Sequence, residues 1–193
     1  MQQLFPAQAV RFEKALAFHC GPSLAGIKTA NLASFSAEEY PDFLDLLQEY
    51  AAVFQKKGVR LTLLRQSPRY LLLVYRESLL RERLDHPPVQ ELLAREGYPL
   101  GEPLEAILAH LQARMAKGKD FPHEIGLFLG YPVEDVEGFR LHKGENYKFC
   151  GYWKVYSNVE QARHRFARYD KCRDALCRRI AQGQSIARVF GVA

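Results

Sequence analysis

The side chains best equipped for chemistry lie far apart in this chain, and each must be weighed against what its neighbours permit. Cys20 follows His19 in "LAFHCGPSLAGIKTANL" (16–32), at the end of an apolar run and just before Gly21-Pro22-Ser23. A thiol becomes a nucleophile where a cation, a histidine or a helix N-terminus stabilises its thiolate. His123, with Glu124 after it, opens a later apolar run. A Cys20–His123 pair oriented by a carboxylate would make a cysteine-dependent hydrolase or transferase. The protease signatures that surround such cysteines are absent, and a free cysteine is most often a small buried hydrophobe.

Metal and phosphate chemistry find weaker footing. His19, Cys20, His123 and Cys150 are competent ligands, and Cys172 and Cys177 lie close in sequence. On a strand, however, His19 and Cys20 would point to opposite faces, and on a helix Cys172 and Cys177 would sit about 140° apart. No CxxC or HExxH spacing occurs, so no metal site is assigned and no cofactor is named. "GPSLAGIK" lacks the GxxxxGK[ST] spacing of a phosphate loop. Lys28 reads instead as an edge or solvent-facing strand residue, able to hold an anionic group as a point charge.

Two broader patterns remain. Tyr131, Tyr147, Phe149, Tyr152, Trp153 and Tyr156 are interleaved with Gly130, Gly144 and Gly151, which suits an aromatic core or a ligand pocket. Strand alternation would send Tyr152, Lys154 and Tyr156 to one face and Trp153 and Val155 to the other. The expected pocket is therefore lined by the Cys20 turn, the His123–Glu124 strand, Tyr131 and the Tyr152–Tyr156 strand, with Lys28 and Lys154 as its cations. The second pattern is basic. Residues 154–188 carry nine Lys or Arg against Glu160, Asp170 and Asp174, whereas the rest of this +5 chain is close to neutral. Arg163, Arg165, Arg168, Arg178 and Arg179 could meet phosphates or an acidic partner, although no nucleic-acid-binding signature accompanies them.

The elements that must position these residues follow from periodicity and punctuation. "ALAFHC" and "LAGIKTANLASF" read as two strands around the Gly-Pro turn, with an N-terminal helix over 8–18 as the alternative. Ser36 and Glu39 have capping-box spacing, and Phe43, Leu46, Leu47, Tyr50 and Phe54 recur at helical intervals, predicting a helix over 37–57. "VRLTLLRQSPRYLLLVYR" reads as two strands joined at Ser67-Pro68. Helices follow on either side of Pro87-Pro88 and over "PLEAILAHLQARMAKG", which would stop at Gly118. "FPHEIGLFLGYP" reads as a buried strand, "VEDVEGFRLH" as a short helix and "YKFCGYWKVYS" as an aromatic strand. Ser157 with Glu160 would cap a long basic helix from 159 to about 182. Hairpins separated by helices predict an α+β fold with a mainly antiparallel or mixed sheet covered by helices. It is read as one domain over 1–193, with a core over 8–156 and the basic helix and tail over 157–193.

With 193 residues, 48% hydrophobic and 25% charged, the chain has ordinary globular composition and needs no disulfide to hold a core. The opening segment carries Arg11, Glu13 and Lys14 where a secretory segment would be apolar, and no apolar run approaches ~20 residues. The expectation is a cytoplasmic protein with reduced thiols and no membrane partner.

"FHCGPSLAGIKTANL", "HEIGLFLGYPVEDVEGF" and "GYWKVYSNVEQARHRFARYDKC" together resemble a bacterial family of domains of unknown function, number 3793, common in anaerobic Gram-positive bacteria. The resemblance implies no activity, cofactor or catalytic residue. The residues alone favour an accessory or regulatory module that binds a small ligand or a protein partner through a pocket near Cys20, His123 and Tyr152.

Overall fold

The structure, a computed structural model, describes residues 6–117 and 121–191. The chain forms two compact units: one runs to Ser78 and resumes at Tyr169, and the other is Leu79–Arg168. The architecture is α+β.

Unit 1 is built on a three-stranded antiparallel sheet in the order β1-β3-β2, with β1 at Ala30–Phe35, β2 at Val59–Arg65 and β3 at Tyr70–Arg76. The register runs from Ala30 opposite Tyr75 to Phe35 opposite Tyr70, and β2 meets β3 from Val59 opposite Arg76. The β2–β3 hairpin turns at Ser67-Pro68 as its sequence predicts. Central β3 is buried along Leu71–Tyr75, as a Leu- and Val-rich strand should be. Helices α1 (Pro6–Leu24) and α2 (Phe43–Gln55) pack on this sheet.

Helix α1 corrects the first expectation, because "ALAFHC" is helical and not a strand. Ala9, Phe12, Leu16, Cys20 and Leu24 recur at three- and four-residue intervals, and all are buried. Pro22 falls in the last turn, where the Gly-Pro-Ser signal was read as the bend between two strands. Helix α2 is also shorter than expected. Residues 37–42 form turns, and Ser36 Oγ accepts from the Glu38 amide (3.3 Å) instead of capping a helix.

Phe12 organises the unit 1 core. Its ring lies 5.3 Å from Phe35, 5.9 Å from Phe43 and 5.2 Å from Tyr50. Burying each such ring contributes about 1.5–3 kcal/mol. Beside this cluster, Glu13 is buried with both oxygens engaged: Tyr50 donates its hydroxyl at 2.8 Å and the Ile186 amide donates at 3.1 Å. The latter bond ties α1 to α9 (Ile186–Val189). Burial raises the Glu13 pKa above the usual carboxylate range, against the lowering effect of these two donors.

Unit 2 is mainly helical. It holds α4 (Pro87–Arg95), α5 (Leu104–Lys117), α6 (Ile125–Phe128), α7 (Val133–Leu141) and the hairpin β4 (Phe149–Cys150) with β5 (Lys154–Val155). The unit boundaries fall inside α3 (Glu77–Leu84) and α8 (Val159–Ala181). Two strand readings are corrected here. "FPHEIGLFLGYP" folds as the single-turn helix α6, and "YKFCGYWKVYS" is a tight hairpin turning at 151–153 instead of one strand. A short apolar run fits a buried helix turn as well as a strand. The start of α8 is capped by Asn158, whose side chain accepts from the Gln161 amide (3.0 Å); the Ser157 amide is bonded elsewhere. The stop expected at Gly118 lies outside the described residues.

Lys28, read as a solvent-facing strand residue, is fully buried in the turn before β1, and its Nζ donates to the Ala30 carbonyl at 2.7 Å. Burial lowers its pKa to about 7 and raises that of Cys20, also in this core, to about 12. Between about pH 7 and 9 the unfolded chain therefore holds a Lys28 proton that the folded chain releases, so stability rises with pH. Above pH 9 the unfolded Cys20 ionises while the folded thiol stays protonated, which opposes the rise. Urea midpoints are expected to show a stability gain on the order of 1–2 kcal/mol from pH 7 to 9 that Lys28→Met lacks. Parallel pH profiles for the two proteins would contradict it.

Candidate functional site

The candidate site is a cavity of about 290 Å³ in unit 2, lined by residues of α6, α7, the segment before α6 and the β4–β5 hairpin. Its frame depends on Asp135, which is 2% exposed. Trp153 donates its indole N–H to Asp135 Oδ2 at 2.7 Å, and the Tyr156 and Ser157 amides donate to Oδ1 at 2.8 and 2.7 Å. One carboxylate thus fastens the hairpin and the start of α8 to α7. Charge-assisted bonds of this kind are about twice as strong as neutral ones.

Close backbone approaches complete the frame. Gly138 on α7 lies against Tyr156, where an added Cβ would come within 2.5 Å of ring carbon Cγ. Gly151 lies equally close to the Phe166 ring of α8. Phe166 meets Trp153 edge-on at 4.5 Å and packs against Tyr152 at 5.4 Å. Arg83 donates to the Leu127 carbonyl (3.4 Å) and to that of Tyr131, holding the end of α6.

The walls are mostly rings. Tyr131 and Trp153 stack at 4.7 Å with planes 26° apart, and the Tyr131 hydroxyl donates to the Tyr152 carbonyl at 3.2 Å. His123 lies 4.9 Å from Phe139. The Lys154 ammonium sits 5.8 Å from the Phe139 ring centre and 4.9 Å from that of Tyr147, donating to the Gly144 carbonyl at 2.7 Å. Cys150, directly opposite Lys154 across the hairpin, is exposed and lines the cavity.

His123, Tyr131 and Lys154 line this one cavity, and the other candidates lie elsewhere. Glu124 points into the unit 2 core, where it pairs with Arg114 and accepts from the Tyr98 hydroxyl at 3.0 Å. Tyr152 serves the frame through its carbonyl and its contact with Phe166. Tyr156 stacks on His142 at 5.6 Å. The expected alternation of Tyr152, Lys154 and Tyr156 fails because the chain turns at 151–153. Cys20 and Lys28 belong to the core of unit 1 and do not line this cavity. A fully buried thiol with a pKa pushed up to about 12 is a core residue and lacks the activation a nucleophile needs. Asp135 and Phe139 left no local signal in the sequence, Cys150 was read only as a possible metal ligand, and Trp153, expected on the face away from the pocket, lines it because the chain turns at 151–153.

Along α1 and the C-terminal part of α8, Lys14, Phe18, His19, Cys177 and Ile180 border a cavity of about 460 Å³ in unit 1. Burial lowers the His19 pKa and raises that of Cys177. Cys172 is engaged separately, its thiol meeting the Gly21 carbonyl at 3.7 Å. On α8, Ala162, Phe166, Tyr169, Leu176 and Ile180 form the buried stripe. Arg163, Arg168, Arg178 and Arg179 are exposed and Arg165 is half-buried. Arg163 lies over Phe149 at 4.5 Å. Among the described residues, no three His, Cys, Asp or Glu side chains gather to hold a metal ion, and no helix is long and apolar enough to cross a membrane.

An α+β chain with an aromatic, hydrogen-bonded cavity is the class that the fold and site define. Residues 16–190 match the family described as "Protein of unknown function (DUF3793)", and the chain belongs to it. No curated protein and no solved structure matches the chain.

The thiols differ enough to be ranked. Iodoacetamide on the native protein, followed by peptide mass mapping, is expected to label Cys150 first and Cys172 and Cys177 more slowly. Cys20 should react only on unfolding. Labelling of Cys20 ahead of Cys150 would contradict this order.

Proposed function

We propose that the protein is a small-ligand-binding module whose ligand enters the unit 2 cavity between the Tyr131–Trp153 stack and Phe139. The observation that carries this reading is the aromatic wall held by the three N–H bonds to Asp135. A preformed, mostly apolar cavity with a few fixed polar groups is what small-molecule sites require, and this one lies near the lower end of the ~300–1,000 Å³ range. It suits a ligand of up to about three rings. An accessory or regulatory role accords with binding and needs no activated nucleophile, so the Cys20–His123 hydrolase reading receives no support.

Trp153 is the only tryptophan of the chain, so its emission reports on this cavity alone. Energy transfer from Trp153 to the neutral apolar probe N-phenyl-1-naphthylamine is expected to rise and saturate. Cys150→Phe places a ring at an exposed lining position and should weaken binding roughly tenfold. A linear, non-saturating signal in the parent protein, or equal affinity in the Cys150→Phe variant, would overturn the proposal.

A further inference from the structure

We infer that the unit 2 cavity selects an aromatic or alicyclic acid, with its ring against the Tyr131–Trp153 stack and its anionic group at Lys154 and His123. The inference rests on the ligand-binding reading above and names the chemical class of the ligand.

The polar groups of the cavity are unequal. Asp135 lines it, but both of its oxygens accept protein N–H groups and its side chain is almost wholly buried. Its charge is directed at the frame. The Tyr131 hydroxyl is spent on the Tyr152 carbonyl. What remains to meet a ligand is Lys154 and His123, and both pack on the same ring, that of Phe139. His123 is exposed, and among the described residues its imidazole makes no hydrogen bond. Lys154 spends one N–H on the Gly144 carbonyl, and no carboxylate among the described residues pairs with it. An ammonium has three donors, so two are left for an acceptor.

The same geometry argues against a cationic ligand. Aromatic cavities often bind cations over their ring faces. Here the Lys154 ammonium already lies over Phe139 and Tyr147, and a second positive charge would be repelled. A neutral apolar ligand would make no use of the donors of Lys154 and His123. An acid satisfies both, and a lysine at the edge of an apolar wall holds an anion as a point charge.

The test compares 1-naphthaleneacetic acid with 1-naphthaleneacetamide, its neutral isostere, by calorimetry at neutral pH and low salt. The parent protein is expected to bind the acid about tenfold more tightly than the amide. Lys154→Met should erase that preference by weakening the acid far more than the amide, and Lys154→Arg should restore it in part. Equal affinities in the parent protein would overturn the inference and leave the cavity reading standing. Loss of amide binding together with acid binding in Lys154→Met would overturn it too, because the lysine would then act by packing. Failure of both ligands to bind up to about 1 mM, with no N-phenyl-1-naphthylamine binding, would remove the ligand-binding reading itself.

Discussion

The candidate site depends on one buried carboxylate. Asp135 accepts from the Trp153 indole and from two successive backbone amides, Tyr156 and Ser157. Those three donors belong to a hairpin of two-residue strands, too short to be stable alone, and to the segment that leads from it into α8. Without the carboxylate, the buried indole would lose its partner at a cost of about 1–3 kcal/mol, and the two part-buried amides would lose theirs. With it, the indole is held in one orientation, and the Tyr131 ring can stack on it to form the cavity wall.

Unit 1 uses its buried polar groups differently. Glu13 joins α1 to Tyr50 and to the start of α9, while Lys28 satisfies the Ala30 carbonyl inside the core. These groups are enclosed. Cys20, chemically the most suggestive residue of its stretch, shares that enclosure. Cys177 and Cys150 both border cavities, and Cys150 does so opposite Lys154 in the cavity that His123 also lines.

Local patterns were legible in the sequence wherever one periodicity dominated. The β2–β3 hairpin, the main span of α2, and α7 and α8 all fall where spacing puts them. The failures share a physical cause. At α1, the Gly-Pro-Ser signal outweighed a helical pattern from Ala9 to Leu24 that tertiary burial makes decisive. At α6 an apolar run of a few residues fitted either a strand or a helix turn. At the hairpin, aromatic residues favour strands, but the turn at 151–153 reverses the chain and places Trp153 towards Asp135. The pocket was legible in part, through His123, Tyr131 and Lys154, because glycines among aromatics mark close packing. Its keystone was not, since nothing local ties Asp135 to an indole eighteen residues away.

The most direct measurement of this arrangement is the indole N–H resonance of Trp153 in ¹H–¹⁵N NMR, followed with and without N-phenyl-1-naphthylamine. A bond to buried Asp135 and a ring in the cavity wall predict one slowly exchanging indole signal that shifts saturably as the probe binds. An indole N–H that exchanges as fast as free tryptophan, or that stays unmoved while the probe saturates, would contradict the assignment of this cavity as the site.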